Sequence, residues 1–337
     1  MNLLNVPVID IGPFRGRMPD AQRRIAAAVD EACRQIGFLV INGHGIPPAL
    51  VAEMEAVSQQ FFDLDLAEKM LVQRPAPDVT RGYIPVLAES VARSRAAAAP
   101  GDINESMMIG PVDVPPTPYF LGPQAGKHFA PNLWPARPVE LKPVWTEYYR
   151  AMATLAEELM RIFAVALGLP DRDFFRDKID RHISRLRVRN YPALQAAPEP
   201  GQLRAGAHSD YGSLTILKTQ DRPGGLQVCN AAGDWVDVPV VDGAFIVNIG
   251  DLMARWTNDR WVSTLHRVVN PPPGQAAESR RQSLVFFHNP NYDALIECLP
   301  TCRDPAYPPR YKATTSGEHL REQFVRTQNA LTAGYTG

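Results

Sequence analysis

The chain has 337 residues, 45% of them hydrophobic and 21% charged, with a formal net charge of −1 at pH 7. That balance excludes a disordered chain, which would be poor in apolar residues and rich in uncompensated charge. It also leaves no global field for nucleic acid or for an anionic membrane, so the expected partner is a small molecule. The 32 prolines, about twice the usual frequency, disfavour a long helical bundle and favour a compact fold with many connecting loops.

The first residues, Met1 to Gly12, carry no basic stretch followed by a long apolar run, and no window approaches the ~20 apolar residues of a membrane span; the expectation is a cytoplasmic protein. Cys33, Cys229, Cys298 and Cys302 are expected to be reduced thiols. Cys298 and Cys302 lie four apart without a second pair or a nearby histidine to complete a zinc site.

Val6 to Ile11 is a short apolar strand between prolines. Asp20 to Gln35 follows as a helix, with Ile25, Val29, Ala32 and Ile36 on one face, and Gly37 ends it. Gly37 to Asn42 is a second strand, and Pro47-Pro48 opens a helix whose Leu50, Met54, Val57 and Phe61 recur at helical spacing. From Pro75 to Pro143 the pattern is loop-rich. Nine prolines from Pro111 to Pro143 suggest an extended wrapping segment anchored by Phe120, Phe129 and Trp134. The longest helix is expected over 144–167, stopped by Gly168 and Pro170.

The period then changes from 3.6 to 2, in 183–192, 213–219, 226–230, 235–238, 244–249, 266–269 and 282–288. Short strands separated by Gly, Pro and Asp turns argue for a sandwich or barrel. A final helix follows Thr315, whose spacing to Glu318 fits a capping box. The chain therefore divides into an N-terminal region (1–125), a linking segment with the long helix (126–180), a β core (181–295) and a C-terminal tail with a helix (296–337).

His208-Ser209-Asp210 stands just before one of these strands, and an extended backbone turns residues two apart to the same side. Alone, the pair fits a histidine bonded to a neighbouring aspartate better than a metal site. His266 heads another strand of the same core. Two imidazoles and a carboxylate leave half of an octahedron open, the facial arrangement of non-haem Fe(II) oxygenases. Further on, Arg281 and Ser283 share one face of a strand whose neighbours Leu284 to Phe287 are apolar. A guanidinium fork beside a hydroxyl suits a carboxylate, and an unpaired buried arginine would be costly. Arg280 lacks the two-residue relation to Ser283.

His208-Ser209-Asp210, His266-Arg267-Val268 and Arg281-Gln282-Ser283 resemble the HxD…H…RxS pattern of the Fe(II)/2-oxoglutarate-dependent dioxygenases of the isopenicillin N synthase-like superfamily. Val6 to Asp10, Gly37-Phe38, Asn42 to Gly45, Arg81-Gly82-Tyr83, Asp102 with Glu105, Asn190-Tyr191-Pro192 and Asn289 to Tyr292 are similar to family landmarks in the family's order. The resemblance implies a mainly β fold with flanking helices, a double-stranded β-helix or distorted jelly roll preceded by a helical N-terminal region. It implies Fe(II) on His208, Asp210 and His266, with 2-oxoglutarate as cosubstrate and O2 as oxidant. The distal carboxylate of 2-oxoglutarate would pair with Arg281 and Ser283, with a further hydrogen bond from Tyr191. A small-molecule substrate would be hydroxylated, desaturated, demethylated or cyclised as 2-oxoglutarate goes to succinate and CO2.

If Tyr191 points into the barrel, period 2 turns Arg185, Arg187 and Arg189 the same way and Leu186 and Val188 to the other side. Arg185, near the strand start, is expected to be solvated or paired at the cavity mouth. Arg187 or Arg189 would meet an anionic group of substrate or cosubstrate, or else pair with an acid of the N-terminal region. Phe287 is a candidate for the substrate pocket. Tyr83, Glu105 and Met107, in the region that lids such sites, are further candidate substrate contacts. His44 and His288 are expected to be structural. Three other readings stay open on the residues alone: an oxidase of the same fold that uses no 2-oxoglutarate, a zinc hydrolase on the same ligands, and a non-catalytic jelly-roll binding protein. Oligomeric state is not legible.

Overall fold

A computed structural model describes residues 6–16, 18–92 and 100–333, with side chains of the last helix to residue 325. An eight-stranded sheet and a four-stranded sheet carry the fold. The larger sheet holds β1 (Val8–Asp10), β2 (Phe38–Asn42), β3 (Gly82–Ile84), β4 (Glu105–Ile109), β5 (Arg185–Tyr191), β7 (Leu214–Thr219), β10 (Phe245–Ile249) and β12 (Arg281–His288). Its order is β1-β2-β10-β7-β12-β5-β4-β3, antiparallel except for the β1–β2 pair. The smaller sheet runs β6 (Ala205–His208), β11 (His266–Val268), β8 (Leu226–Cys229) and β9 (Trp235–Asp237). A short pair, β13 (Leu295–Ile296) with β14 (Thr314–Thr315), lies beyond them.

This is the expected double-stranded β-helix, and its two faces are chemically different. Outside the larger sheet lie α1 (Pro19–Gln35), α2 (Pro48–Phe62) and the 26-residue α5 (Leu141–Ala166); α3 (Leu66–Met70), α4 (Pro118–Leu121), α6 (Arg176–Ile179) and α7 (Asp251–Trp256) are short. Val29, Phe61, Trp145 and Leu159 from these helices join Leu186, Val188, Leu284 and Phe286 in one buried cluster. Inside, Tyr191, Val228, Ile246 and Val268 form a second cluster between the sheets. Alternation along β5 and β12 sorts residues between the two, as period 2 requires. No described helix is long and apolar enough to cross a membrane.

Beyond the short pair β13 and β14, three strands of the two main sheets fall where the sequence shows no strand pattern. β3 and β4 lie within the stretch expected to be loop, and β6 lies in the irregular segment before Ser209. The N-terminal region therefore supplies four strands to the larger sheet: β1, β2, β3 and β4. The wrapping segment is anchored as expected, by Phe129 and Phe120 in a small cluster with Ile183 and Leu320, and by Trp134 against the main core. The last helix, α8 (Ser316–Ala333), begins with the Glu318 amide donating to Thr315 Oγ1 at 3.2 Å.

Candidate active site

His208 ends β6 and His266 begins β11, and the two are direct partners across the antiparallel ladder, with ring centroids 4.3 Å apart. Asp210 sits in the turn after β6, its Oδ1 3.8 Å from His266 Nε2 and 4.0 Å from His208 Nε2. One donor atom from each residue falls within 4.8 Å of the others. The surroundings prepare these atoms for a metal. His208 Nδ1 lies 2.8 Å from the Gly206 carbonyl and His266 Nδ1 3.1 Å from the Thr264 carbonyl. A carbonyl can only accept, so each Nδ1 carries the proton and each Nε2 presents its lone pair. Asp210 Oδ2 accepts from Thr215 Oγ1 (2.6 Å) and Asn248 Nδ2 (2.7 Å), which leaves Oδ1 for coordination.

Burial and the neighbouring His266 hold His208 well below the ordinary imidazole range, so it is neutral, as a ligand must be. Burial would raise Asp210, but the two imidazoles and its two hydrogen bonds bring it below its ordinary value. The turn itself is fixed by backbone contact. The Asp251 amide donates to the Asp210 carbonyl at 2.7 Å, and a Cβ on Gly250 would fall 2.1 Å from the Gly212 carbonyl oxygen. Only glycine permits that approach. These residues fit a divalent transition metal that takes two imidazoles and a carboxylate.

Arg281 opens β12 directly opposite Tyr191 of β5. It is 2% exposed, its guanidinium lies 5.0 Å from the Tyr191 ring centre, and its buried Nε has no partner. Ser283 Oγ lies 3.1 Å from Thr219 Oγ1 on the adjacent strand. A second guanidinium, that of the fully buried Arg204, lies 5.8 Å from the same tyrosine ring and donates to Pro192 and Pro223 carbonyls and to Ser279 Oγ. Burial and the nearby Arg281 lower Arg204 to about 10. No described carboxylate pairs with Arg281 or Arg204, so a strongly basic, desolvated corner stands open to an anion.

A cavity of about 200 Å³ adjoins the triad. His208, Asp210, Phe287 and the row Arg185, Arg187, Arg189 line it, together with Glu89, Met108 and Phe324. Arg187 is ion-paired with Glu89 and donates from Nε to Ser106 Oγ at 3.0 Å. Arg74 holds the other oxygen of Glu89 at 2.6 Å. Burial would raise Glu89, yet Arg187 and Arg74 hold it down at about 2. Arg189 donates to Asn104 Oδ1 at 2.9 Å.

Residues 6–137 match the family described as non-haem dioxygenase in morphine synthesis N-terminal, and residues 183–290 match the 2OG-Fe(II) oxygenase superfamily. The 2-oxoglutarate-Fe(II) type oxidoreductase of Emericella nidulans is 34% identical, over 95% of this chain and 90% of its own. The chain belongs to the 2OG-Fe(II) oxygenase superfamily. A homoarginine-6-hydroxylase of Oryza sativa subsp. japonica is 31% identical over 95% of the oxygenase and 96% of its own length. A full-length Neurospora crassa protein crystallised with alpha-KG superposes with a TM-score of 0.84 at 32% identity, over 96% of each chain. The oxygenase is thus a non-haem Fe(II)- and 2-oxoglutarate-dependent dioxygenase acting on a small molecule. The family decides among the readings that the residues left open.

Three expected substrate contacts lie elsewhere in the oxygenase. Tyr83, Glu105 and Met107 are on the outer face of β3 and β4. Met107 and Tyr83 belong to the helix-side core. Glu105 is buried there with Lys69 Nζ at 2.8 Å, Asn190 Nδ2 at 2.8 Å and the Tyr83 hydroxyl as partners. Their neighbours of opposite parity, Ser106 and Met108, face the cavity instead. His44 is structural, with Nε2 2.7 Å from the Gly243 carbonyl and its ring against Phe245. His288 is likewise buried, on Ser213. Thr215, Asn248, Arg204 and Glu89 went unrecognised in the sequence. The first two could have been found from the parity of their strands, but nothing local marks the others.

Proposed function

We propose that His208, Asp210 and His266 hold Fe(II), that Arg281, Ser283 and Tyr191 receive the distal carboxylate of 2-oxoglutarate, and that substrate occupies the cavity lined by Arg187, Arg189 and Phe287. The observation that carries this is a pair of complementary features between the two sheets: a cation-ready triad with Nε2, Nε2 and Oδ1 free, and an anion-ready buried guanidinium without a carboxylate. On β7, Thr215 supports Asp210 and Thr219 touches Ser283. Those residues are four apart, about 13 Å along the strand, so a short diacid anchored at the Arg281 end would reach toward the metal with its other end.

With Fe(II), 2-oxoglutarate and O2 bound, the site supplies an oxidant able to remove hydrogen from a substrate carbon while 2-oxoglutarate goes to succinate and CO2. The chain's own contribution is placement. Thr215 and Asn248 fix which oxygen of Asp210 faces the metal, and Gly206 and Thr264 fix both imidazole tautomers. Arg281 and Arg204 orient the cosubstrate by charge. Phe287, Met108 and Phe324 exclude water from the reacting carbon.

Anaerobic addition of 2-oxoglutarate to the Fe(II) protein is expected to give a visible metal-to-ligand charge-transfer band. In Arg281→Met the band should require about tenfold or more additional 2-oxoglutarate. Absence of the band in the wild type overturns the proposal.

A further inference from the structure

The inward row on β5 runs Tyr191, Arg189, Arg187, Arg185, and its partners on β12 run Arg281, Ser283, Val285, Phe287. The first pair is the cosubstrate end. Six residues separate Tyr191 from Arg185, about 20 Å of strand, so Arg185 stands at the opposite end, beside Phe287 and the triad's cavity. The arginines of this row differ in what holds them. Arg187 shares Glu89 with Arg74, and Arg189 is bonded to Asn104. Arg185 has no ion pair and no side-chain hydrogen bond with any described residue; its guanidinium lies 5.2 Å from the Phe324 ring centre. The residues whose side chains are not described include no Asp or Glu. Burial, reinforced by Arg81 and Arg187 and opposed by Tyr211 and the Asp210 carboxylate, lowers Arg185 to about 10.

Arg185 is half-buried and lines the cavity, so its open hydrogen-bonding edge is available to a ligand that enters there. One arginine with an open hydrogen-bonding edge, beside neighbours already hydrogen-bonded, matches a singly charged planar anion better than a phosphate. The rest of the chamber is apolar where it meets Phe287, Met108 and Phe324. We infer that Arg185 binds a carboxylate of the substrate, and that the enzyme oxidises small monocarboxylic acids whose apolar body lies against Phe287 and Met108 with the reacting carbon toward His208 and Asp210. This rests on the proposed substrate cavity and adds the charge class of its occupant.

The test uses the full chain loaded anaerobically with Fe(II) and 2-oxoglutarate. Benzoate, phenylacetate and cyclohexanecarboxylate are each matched with the primary amide, and binding is measured by calorimetry and by perturbation of the charge-transfer band. At least one acid is expected to bind about tenfold to a hundredfold more tightly than its amide. Arg185→Gln should abolish that preference, and Arg185→Lys should retain part of it. In both variants the band formed by 2-oxoglutarate itself should be unchanged, because Arg281 is at the far end of the row. Equal binding of acids and amides, no binding of any acid, or an acid preference that survives in Arg185→Gln overturns the inference while a normal band leaves the oxygenase reading standing. A missing band sinks that reading instead.

Discussion

The two faces of the eight-stranded sheet are made from the same strands and do opposite work. On the outer face, Leu186, Val188, Leu284 and Phe286 are 0–1% exposed and pack against α1, α2 and α5. On the inner face, the intervening positions of the same two strands include Arg185, Arg187, Arg189, Arg281 and Ser283, alongside Tyr191, Val285 and Phe287. A strand with one largely apolar face and one arginine-bearing face does not gain stability from the second. Its cost is sustained because the outer face over-determines the backbone that positions it. Stability and chemistry should therefore separate by parity along single strands.

The sharpest break comes from the inner side. His266→Ala removes a ligand from the smaller sheet, and turnover is expected to fall on the order of a thousandfold or more, about 4 kcal/mol of barrier, with little change in melting temperature of the metal-free protein. Full activity in that variant would end the enzyme reading. The mirror experiment is Leu186→Ala, one residue from Arg185 and Arg187. It should cost about 3 kcal/mol of stability, seen as a lower denaturation midpoint, while the 2-oxoglutarate charge-transfer band persists at permissive temperature. A smaller effect is expected from Thr215→Val, which leaves the triad intact but frees Asp210 to rotate. Fe(II) affinity should drop about tenfold to a hundredfold, measured by competition with a chelator, and no change would show that Asn248 alone fixes the carboxylate.

That separation also explains what could be read without coordinates. The helices α1, α2 and α5 were legible because each begins near a proline and repeats apolar residues every three or four positions; Leu50, Met54, Val57 and Phe61 are all buried. The triad and Arg281 with Ser283 were legible because short motifs on strands place side chains by parity alone. β3 and β4 were not. Every residue of Glu105–Ile109 is buried, so the segment shows no polar alternation, and its pairing is set by β5, far away in sequence. Without a strand there was no parity, and Tyr83, Glu105 and Met107 were placed on the cavity side when Ser106 and Met108 face it. The same limit governs the arginines. Period 2 predicts that Arg185, Arg187 and Arg189 point inward together, but which one meets a carboxylate depends on Glu89, a loop residue that no local pattern connects to β5.

Glu89 also marks where the two faces stop being independent, because it stabilises the inner face directly. Its carboxylate is held by Arg187 and Arg74 and lies at about 2 rather than 4.5. The folded value is below the unfolded one, so this contribution is complete above pH 4.5 and is lost as pH falls toward 2. Glu89→Gln, which leaves both guanidiniums without a carboxylate, is expected to cost about 1–2 kcal/mol at neutral pH, between the values for exposed and fully buried pairs. The deficit relative to wild type should shrink through the acid window, because the wild type loses there what the variant never had. Denaturant titrations at pH 7, 4 and 3 measure it. A deficit that stays constant with pH would mean that Glu89 acts by shape and not by charge, and the inner face would then be neutral to stability after all.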